Sequence, residues 1–272
     1  MSLGEPTGPI FEGGAAAARP EDEMLSLKDK NVVVIGGSRG VGRQIVTAVA
    51  EAGARVMAVA RQEAPLRQIA SDIGGVETLE VDATADHAPS AVFERMQPDV
   101  LVIGAGAFPP AAPLHLQTWR EFAVNWEADV KIAFNFCKAA LTRPLHAGAT
   151  ILLISSGAAF AGSPISGGYA GAKRTQLFIA DYSQKESDRL GLGLRFVGLA
   201  PRMMPDTDLG RHAIAGYSRY LGMSEADFVR GMGALTSPAN VADAVVALAS
   251  AADEPRSKVF VVSGAGLEPV VA

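Results

Sequence analysis

The chain has little of what several classes of protein require. It contains a single cysteine, Cys137, so no disulfide framework can form, which suits a reducing cytoplasm. Its four histidines are scattered and, with one Cys, give no metal-ligand spacing, so we expect no metal site. Cys137 lies in an apolar, aromatic stretch, which predicts an inert buried thiol.

Long apolar runs and an excess of positive charge are also missing. No apolar run reaches the roughly 18 residues that a membrane helix needs, and the first residues are not basic as in a signal peptide. The net charge of −5 and the pI of about 5.4 argue against nucleic acid or an anionic membrane as the main partner. We therefore expect a cytoplasmic protein with no nucleic-acid and no membrane partner.

What the chain does have is typical of a globular protein, with 49% apolar residues and 29 glycines. Residues 1–26 are rich in Gly, Pro, Ala and acidic side chains without an apolar period, which predicts a flexible tail. No break in composition divides residues 27–272. We therefore predict one domain there.

Short β-branched runs alternate with longer helical patterns from Lys28 onward. Seven runs are interpreted as buried strands: Val32–Ile35, Ala54–Ala60, Val76–Val81, Asp99–Ile103, Thr150–Ser155, Leu192–Leu199 and Lys258–Val262. Helical patterns lie near 41–52, 63–73, 86–96, 117–146, 168–190 and 238–251. This alternation predicts an α/β fold, a Rossmann-like doubly wound parallel sheet of seven strands with helices on both faces.

Residues 202–237 interrupt the alternation after the sixth strand. They are rich in Met, Tyr and Gly. Because ligands of doubly wound sheets bind outside the carboxyl ends of the strands, this insert is a candidate substrate lid. A packed pair of helices without a ligand role is the alternative.

The first strand runs into the glycine-rich turn Gly36-Gly37-Ser38-Arg39-Gly40-Val41-Gly42, which a helical pattern follows. Its first, fifth and seventh residues are glycines that allow a tight turn and let a phosphate approach N–H groups at a helix N-terminus. The motif alone is weak, but its position between a buried strand and a helix makes it strong. We therefore predict a dinucleotide-binding turn.

Charge near this turn indicates which dinucleotide binds. An acidic residue at the end of the second strand is typical of NAD(H), whereas here Arg61 follows that strand and Arg39 lies in the turn. Two guanidinium groups can bracket a 2′-phosphate, so NADP(H) is favoured over NAD(H). The alternative is that Arg61 is only a solvated residue.

The next two strands end at further candidate cofactor contacts. Asp82 ends the third strand, where a carboxylate could accept from the adenine amino group. The fourth strand enters Gly104-Ala105-Gly106, whose small residues permit close approach of a cofactor. Ordinary loop and turn requirements are the competing explanations.

Tyr169 and Lys173 form the most informative pair, with Ser156 thirteen residues before the tyrosine. A spacing of four puts the phenol and the ammonium on one helix face. A phenol normally titrates near pH 10, and a fixed cation lowers its pKa, which makes Tyr usable as a general acid or base. Ser156, at the end of a strand, could polarise the same substrate oxygen. The alternative is a surface Tyr and a solvated Lys.

With these residues assembled, the chain resembles the short-chain dehydrogenase/reductase family over essentially all of residues 28–272. The glycine-rich turn and Asp82 match its nucleotide contacts, and Asn125, Ser156, Tyr169 and Lys173 match its catalytic tetrad. The resemblance implies that Tyr169 exchanges a proton with the substrate oxygen and that Ser156 hydrogen-bonds that oxygen. It also implies that Lys173 holds the nicotinamide ribose and that Asn125 supports a water relaying protons to Lys173.

The chain departs from the family pattern after the sixth strand, where the usual Pro-Gly becomes Pro201-Arg202. Pro201 is assigned by the resemblance to the cofactor, and Arg202, Met203 and Met204 are candidate substrate contacts together with Ser156. Arg202 could select an anionic substrate or simply point outward. Ile35 and Ile103-Gly104 also replace family residues around the cofactor.

The leading hypothesis is an NADP(H)-dependent oxidoreductase acting on a carbonyl or secondary alcohol of an apolar or extended small molecule. The alternatives are an NADP(H)-binding sensor or scaffold without turnover, and redox-neutral dehydration or epimerisation on the same scaffold. The aromatic residues of 117–146, together with helix 168–190, indicate a subunit interface, and the family resemblance implies a dimer or tetramer, with core packing as the alternative.

Overall fold

The computed structural model describes residues 26–251 and 258–270, so the tail predicted for 1–26 lies outside the described residues except for Ser26. These residues contain eight strands: β1 Asn31–Ile35, β2 Arg55–Ala60, β3 Glu77–Glu80, β4 Val100–Ile103, β5 Thr150–Ile154, β6 Arg195–Pro201, β7 Val259–Ser263 and β8 Gly266–Pro269. All eight belong to one sheet.

The sheet has the order β3-β2-β1-β4-β5-β6-β7-β8. Seven strands run parallel, and β8 pairs antiparallel with β7. The Rossmann-like, doubly wound class is confirmed, with eight strands rather than the seven expected. The sequence of β8, Gly-Leu-Glu-Pro, does not predict a strand, because Gly, Glu and Pro are all depleted in strands.

The chain order also gives these helices: α1 Gly40–Glu51, α2 Glu63–Asp72, α3 Ala88–Arg95, α4 Trp119–Asn125, α5 Lys131–Thr142, α6 Ala158–Ala161, α7 Gly167–Leu190, α8 Asp208–Leu221, α9 Glu225–Arg230 and α10 Pro238–Ser250. None in the described part of the chain is long and apolar enough to cross a membrane.

Two apolar cores lie on opposite faces of the sheet. Alternate residues of β1 divide between them, with Val32 and Val34 packing in one core and Val33 and Ile35 in the other. Side chains from α1, α2 and α10 complete the first core, and those from α3 and α5 complete the second. Burying each such side chain contributes about 1.5–3 kcal/mol, so helices must cover both faces.

The single helix expected over 117–146 is divided in two. Helix α4 starts at a capping box formed by Thr118 and Glu121, and a π-helical turn, Trp126–Val130, then separates it from α5. Such wide turns often occur at functional sites. Here the turn carries Asp129, which is only 1% exposed.

The insert 202–237 contains two helices. Thr207 caps α8 by accepting a hydrogen bond from the Gly210 N–H at 2.9 Å, and Gly222 ends α8 with φ of +68°. Ser224 caps α9 in the same way. Each of these caps is a short polar side chain directly before a helical stretch.

Candidate active site

The glycine-rich turn leaves β1 with two positions that exclude a side chain. Gly36 has φ of +90°, and a Cβ there would lie 2.7 Å from the Ala105 backbone nitrogen. A Cβ on Gly42 would overlap the Gly36 carbonyl oxygen. The turn is therefore packed backbone against backbone at the carboxyl ends of β1 and β4.

This arrangement fits the diphosphate of a dinucleotide. Helix α1 begins at Gly40, and its N-cap residue, Arg39, makes no side-chain capping hydrogen bond. The N-terminus of α1 and its backbone N–H groups therefore suit an anion. Ser38 and Val41 are half-buried in the turn, and Ala105 and Gly106 lie across from it after β4.

Both predicted basic residues are exposed beside the turn, Arg39 within it and Arg61 directly after β2. Asp82 accepts hydrogen bonds from the Thr84 N–H at 2.9 Å and the Thr84 hydroxyl at 2.8 Å. These two bonds, with smaller contributions from Arg61 and Lys131, hold the pKa of Asp82 below its usual range. Asp82 is therefore a carboxylate that the two Thr84 hydrogen bonds keep ionised.

Helix α7 brings Tyr169 and Lys173 against the end of β5, where Ser156 follows. Ser155 donates from its hydroxyl to the Lys173 carbonyl at 2.8 Å, and the Lys173 ammonium donates to the Ile154 carbonyl at 3.1 Å. That ammonium lies 5.6 Å from the centre of the Tyr169 ring. Ser156 itself accepts from the Ala158 N–H at 3.2 Å. The strand end, the phenol ring and the ammonium thus form one cluster.

Asp129 is a member of this cluster that the sequence reasoning missed. Its Oδ2 lies 3.1 Å from the Lys173 Nζ, with both side chains less than 10% exposed. Gln176 accepts a third hydrogen bond from the ammonium at 3.1 Å and donates to the Asp129 carbonyl at 3.1 Å. The available signal was weak: Asp129 lies four residues after Asn125, one helical turn away, but Glu127 and Lys131 near it are typical of a solvated helix face.

The surroundings of Lys173 act on its pKa in opposite directions. Burial, the largest effect, disfavours the ammonium. The Asp129 carboxylate, and then Tyr169, favour it and together outweigh burial, so the pKa of Lys173 lies above its usual value. Lys173 is therefore a permanent cation at neutral pH.

Asn125 reaches Lys173 only through Asp129. Its side-chain amide donates to the Ala107 carbonyl at 2.8 Å and to Asp129 Oδ1 at 3.2 Å, and the residue is fully buried. The structure thus places Asn125 and Lys173 in one polar network through Asp129. The contact of Asn125 is with the carboxylate rather than with the ammonium.

The predicted substrate residues leave the carboxyl end of β6 next to Ser156. The Pro201 carbonyl accepts from the Gly157 N–H at 2.8 Å, which ties β6 to the residue after Ser156. Arg202 is exposed on the side of Gly157, while Met203 and Met204 are half-buried. Met204 packs against the apolar core that contains Val32 and Val34, which gives this methionine a packing role.

Helix α8 of the insert packs onto the loops that border the cluster. The Tyr217 hydroxyl donates to Ser163 Oγ at 2.7 Å, and the His212 and Phe108 rings lie 4.7 Å apart. A cavity of ≈ 260 Å³ lies beside this contact and is lined by Leu114, Gln117, Phe122, Ser163, Pro164 and Gly167. A cavity of ≈ 320 Å³ near Phe93 and Arg143 lies toward the amino ends of the strands and contains none of the predicted site residues.

Several characterised proteins are similar to the chain. It is 32% identical to L-xylulose reductase of Bos taurus and 31% to D-erythrulose reductase of Gallus gallus, each over 114 residues, 40% of this chain and 46% of the relative. The chain thus spans less than half the length of these relatives. It is 26% identical to L-fucose dehydrogenase of Oryctolagus cuniculus over 251 residues, 88% of this chain and 85% of the relative.

A profile of the family described as short chain dehydrogenase matches residues 30–217. That range contains β1, the glycine-rich turn, the Lys173 cluster and most of α8. The chain belongs to the short-chain dehydrogenase/reductase family.

Proposed function

We propose that the protein is an NADP(H)-dependent oxidoreductase that interconverts a carbonyl and a secondary alcohol, with Tyr169 as the general acid and base. The observation that carries this proposal is the cluster of Tyr169, the Lys173 ammonium and the β5 end that bears Ser156. The relatives named as reductases and dehydrogenases support the same class of reaction.

Each residue has a distinct part in the reaction. Tyr169 gives its phenolic proton to the substrate oxygen in reduction and takes it back in oxidation. Lys173 places a cation near that phenol, 5.6 Å from the centre of its ring. Ser156 donates a hydrogen bond to the same oxygen as negative charge develops there. The nicotinamide supplies the hydride when it is bound.

The cofactor is assigned to the glycine-rich turn, with Ala105, Gly106 and Pro201 on its other sides. Lys173 already donates to three protein acceptors, so contact with the ribose requires it to exchange one of them. Arg39 and Arg61 favour the 2′-phosphate of NADP(H). Changing both to Glu should weaken NADPH binding at least tenfold more than NADH binding, measured by fluorescence titration.

The matched control for this double change is Arg67→Glu on α2, which alters charge at a residue paired with Glu63. Equal losses for NADPH and NADH in the double variant would contradict the assignment of the two arginines to the 2′-phosphate.

The substrate is proposed to be an apolar or extended small molecule that enters beside α8. The cavity next to Ser163 is lined largely by apolar side chains and glycine, which supports this class. Purified protein with NADPH should consume cofactor with some members of a panel of aryl, aliphatic and sugar ketones, in a one-to-one ratio with alcohol product. Tight NADPH binding without consumption on any member would overturn the oxidoreductase proposal.

The second candidate is an NADP(H)-binding protein without turnover. One observation favours it, namely that all three N–H groups of the Lys173 ammonium have acceptors inside the protein. The ketone panel separates the two candidates. Conversion of substrate without net NADPH consumption would instead indicate redox-neutral chemistry.

The same proposal includes a cytoplasmic homo-oligomer. Aromatic side chains on α4, α5 and α7 are exposed, including Trp119 at 78% and Tyr182 at 57%. Large exposed apolar surfaces often mark interfaces, which supports subunit contact through these helices.

A further inference from the structure

The Asp129–Lys173 pair is unlike an ordinary surface ion pair. Asp129 is 1% exposed and Lys173 6%, and their charged atoms are 3.1 Å apart. Burying two charges costs several kcal/mol per ion before their attraction is counted. A packed apolar pair would fill the same space at lower cost, so the position calls for a reason other than stability.

The carboxylate is held in place from several sides. Asp129 Oδ1 accepts from the Ala107 N–H at 2.8 Å and from the Asn125 amide at 3.2 Å, leaving Oδ2 for the Lys173 ammonium. Gly106 makes room for it, because a Cβ there would lie 2.7 Å from the carboxylate atoms. The carboxylate therefore has a single position against Lys173.

The groups facing the Lys173 ammonium are few. The π-helical turn contributes Asp129, β5 contributes the Ile154 carbonyl, and α7 contributes Gln176 and Tyr169. Of these, Asp129 and Tyr169 are the titratable groups. The ammonium beside the Tyr169 ring is thus paired with a buried carboxylate.

We propose that Asp129 is a positioning residue that compensates the Lys173 charge and so keeps Tyr169 protonated to more alkaline pH, suiting the site to carbonyl reduction. This inference rests on the proposed function of Tyr169. A lone ammonium would pull the phenol toward its ionised form, and an adjacent carboxylate largely cancels that attraction. Reduction needs the protonated phenol, whereas oxidation needs the ionised one.

The direct test does not require turnover. The tyrosinate absorbance of the protein is titrated with pH in four forms: wild type, Tyr169→Phe, Asp129→Asn, and the double variant. Subtracting the Tyr169→Phe titration in each background isolates Tyr169 from the other tyrosines. Asp129→Asn should move the Tyr169 midpoint to lower pH by about one unit, because the uncompensated ammonium then acts alone.

Asp129→Asn removes the charge and keeps the shape of the side chain. Its single amide oxygen can still accept from the Ala107 N–H and the Asn125 amide, whereas its NH2 group replaces Oδ2 beside the Lys173 ammonium.

Asp181→Asn is the matched control, because Asp181 lies on α7 and pairs with Lys185 at 2.6 Å, outside the cluster. It changes the net charge of the chain equally. Its Tyr169 midpoint should stay where it is in the wild type.

Kinetics give a second readout. The alkaline limb of kcat/KM for reduction should move to lower pH in Asp129→Asn by the same interval as the absorbance midpoint. Gly106→Ala, which crowds the carboxylate, should shift both readouts in the same direction. If Asp129→Asn does not fold, Gly106→Ala carries the test.

An unmoved midpoint in folded Asp129→Asn, or a midpoint moved to higher pH, overturns the proposal. Lower stability with an unmoved midpoint would assign Asp129 a structural role only. If no ketone is reduced but the midpoint shifts as expected, the proposed reaction fails while the coupling of Asp129 to Tyr169 stands. The two failures are therefore distinguishable.

Discussion

Lys173 carries its charge in the interior because three acceptors surround it, and one of them is a carboxylate. Tyr169, one helical turn earlier, lies near the same charge. Ser156 follows the strand whose last residue, Ile154, accepts from the ammonium. At the scale of residues, the site is therefore a buried charge pair with a phenol and a hydroxyl at its edge.

The sequence could predict part of this cluster but not all of it. A spacing of four residues on a helix indicates that Tyr169 and Lys173 share a face, and a strand end indicates the position of Ser156. Asp129 lies four residues after Asn125 and so on the same helix face, but an acidic residue on a helix has no local signal that separates a buried carboxylate from a solvated one. Only the folded chain shows that Asn125 contacts Asp129.

Cys137 provides a prediction at the residue scale. It is 1% exposed, and burial raises the pKa of its thiol to about 12, with a hydrogen bond involving Ser183 opposing that rise. Because the thiolate is the reactive form, the native protein should not react with an aromatic disulfide reagent at neutral pH. The unfolded chain should react with one equivalent of the reagent, since Cys137 is the sole cysteine. Rapid reaction of the native protein would contradict this burial.

At the scale of elements, α8 is the part of the insert that borders the site. The strand-and-helix alternation predicted an insert over 202–237, and the caps Thr207 and Ser224 are recognisable in the sequence once the helices are known. The packing of α8 against the rest of the chain could not be predicted from the sequence. A cross-chain contact such as that of Tyr217 with Ser163 joins residues 54 positions apart and has no local signal.

The docking of α8 leads to a prediction about substrate binding. Tyr217→Phe removes the hydrogen bond to Ser163 and leaves the ring in place. A hydrogen bond contributes about 0.5–1.5 kcal/mol, so KM for the carbonyl substrate should rise roughly two- to tenfold with kcat little changed. Tyr220→Phe is the control, since Tyr220 is 49% exposed on the same helix. An equal effect of both variants, or none from Tyr217→Phe, would contradict the lid assignment.

At the scale of the whole molecule, two cores on opposite sheet faces leave the carboxyl edge of the strands free for the site. That arrangement followed from the alternation of apolar runs, because a parallel sheet buries both faces. The eighth strand could not be predicted from that alternation. It adds to the sheet edge through backbone pairing with β7, although its residues have low strand propensity. Backbone pairing of this kind depends on position and not on side-chain pattern.

The assembly state gives a prediction at this scale. Light scattering after gel filtration should show a dimer or tetramer of the 28.2 kDa chain at micromolar concentration. Phe178→Glu should reduce it to monomer, because Phe178 is 43% exposed on α7 and a carboxylate would be buried on association. Leu221→Glu on α8, where Leu221 is 54% exposed, should leave the assembly unchanged. A wild-type monomer would refute the oligomer.

The central claim is that Tyr169 transfers the proton, and Tyr169→Phe tests it most directly. With the best ketone of the panel, kcat for NADPH-dependent reduction should fall about 100- to 10 000-fold, while NADPH binding stays within about twofold of the wild type. Tyr182→Phe, a change of the same kind on the same helix, should retain full turnover. Equal turnover in Tyr169→Phe and the wild type would contradict the mechanism.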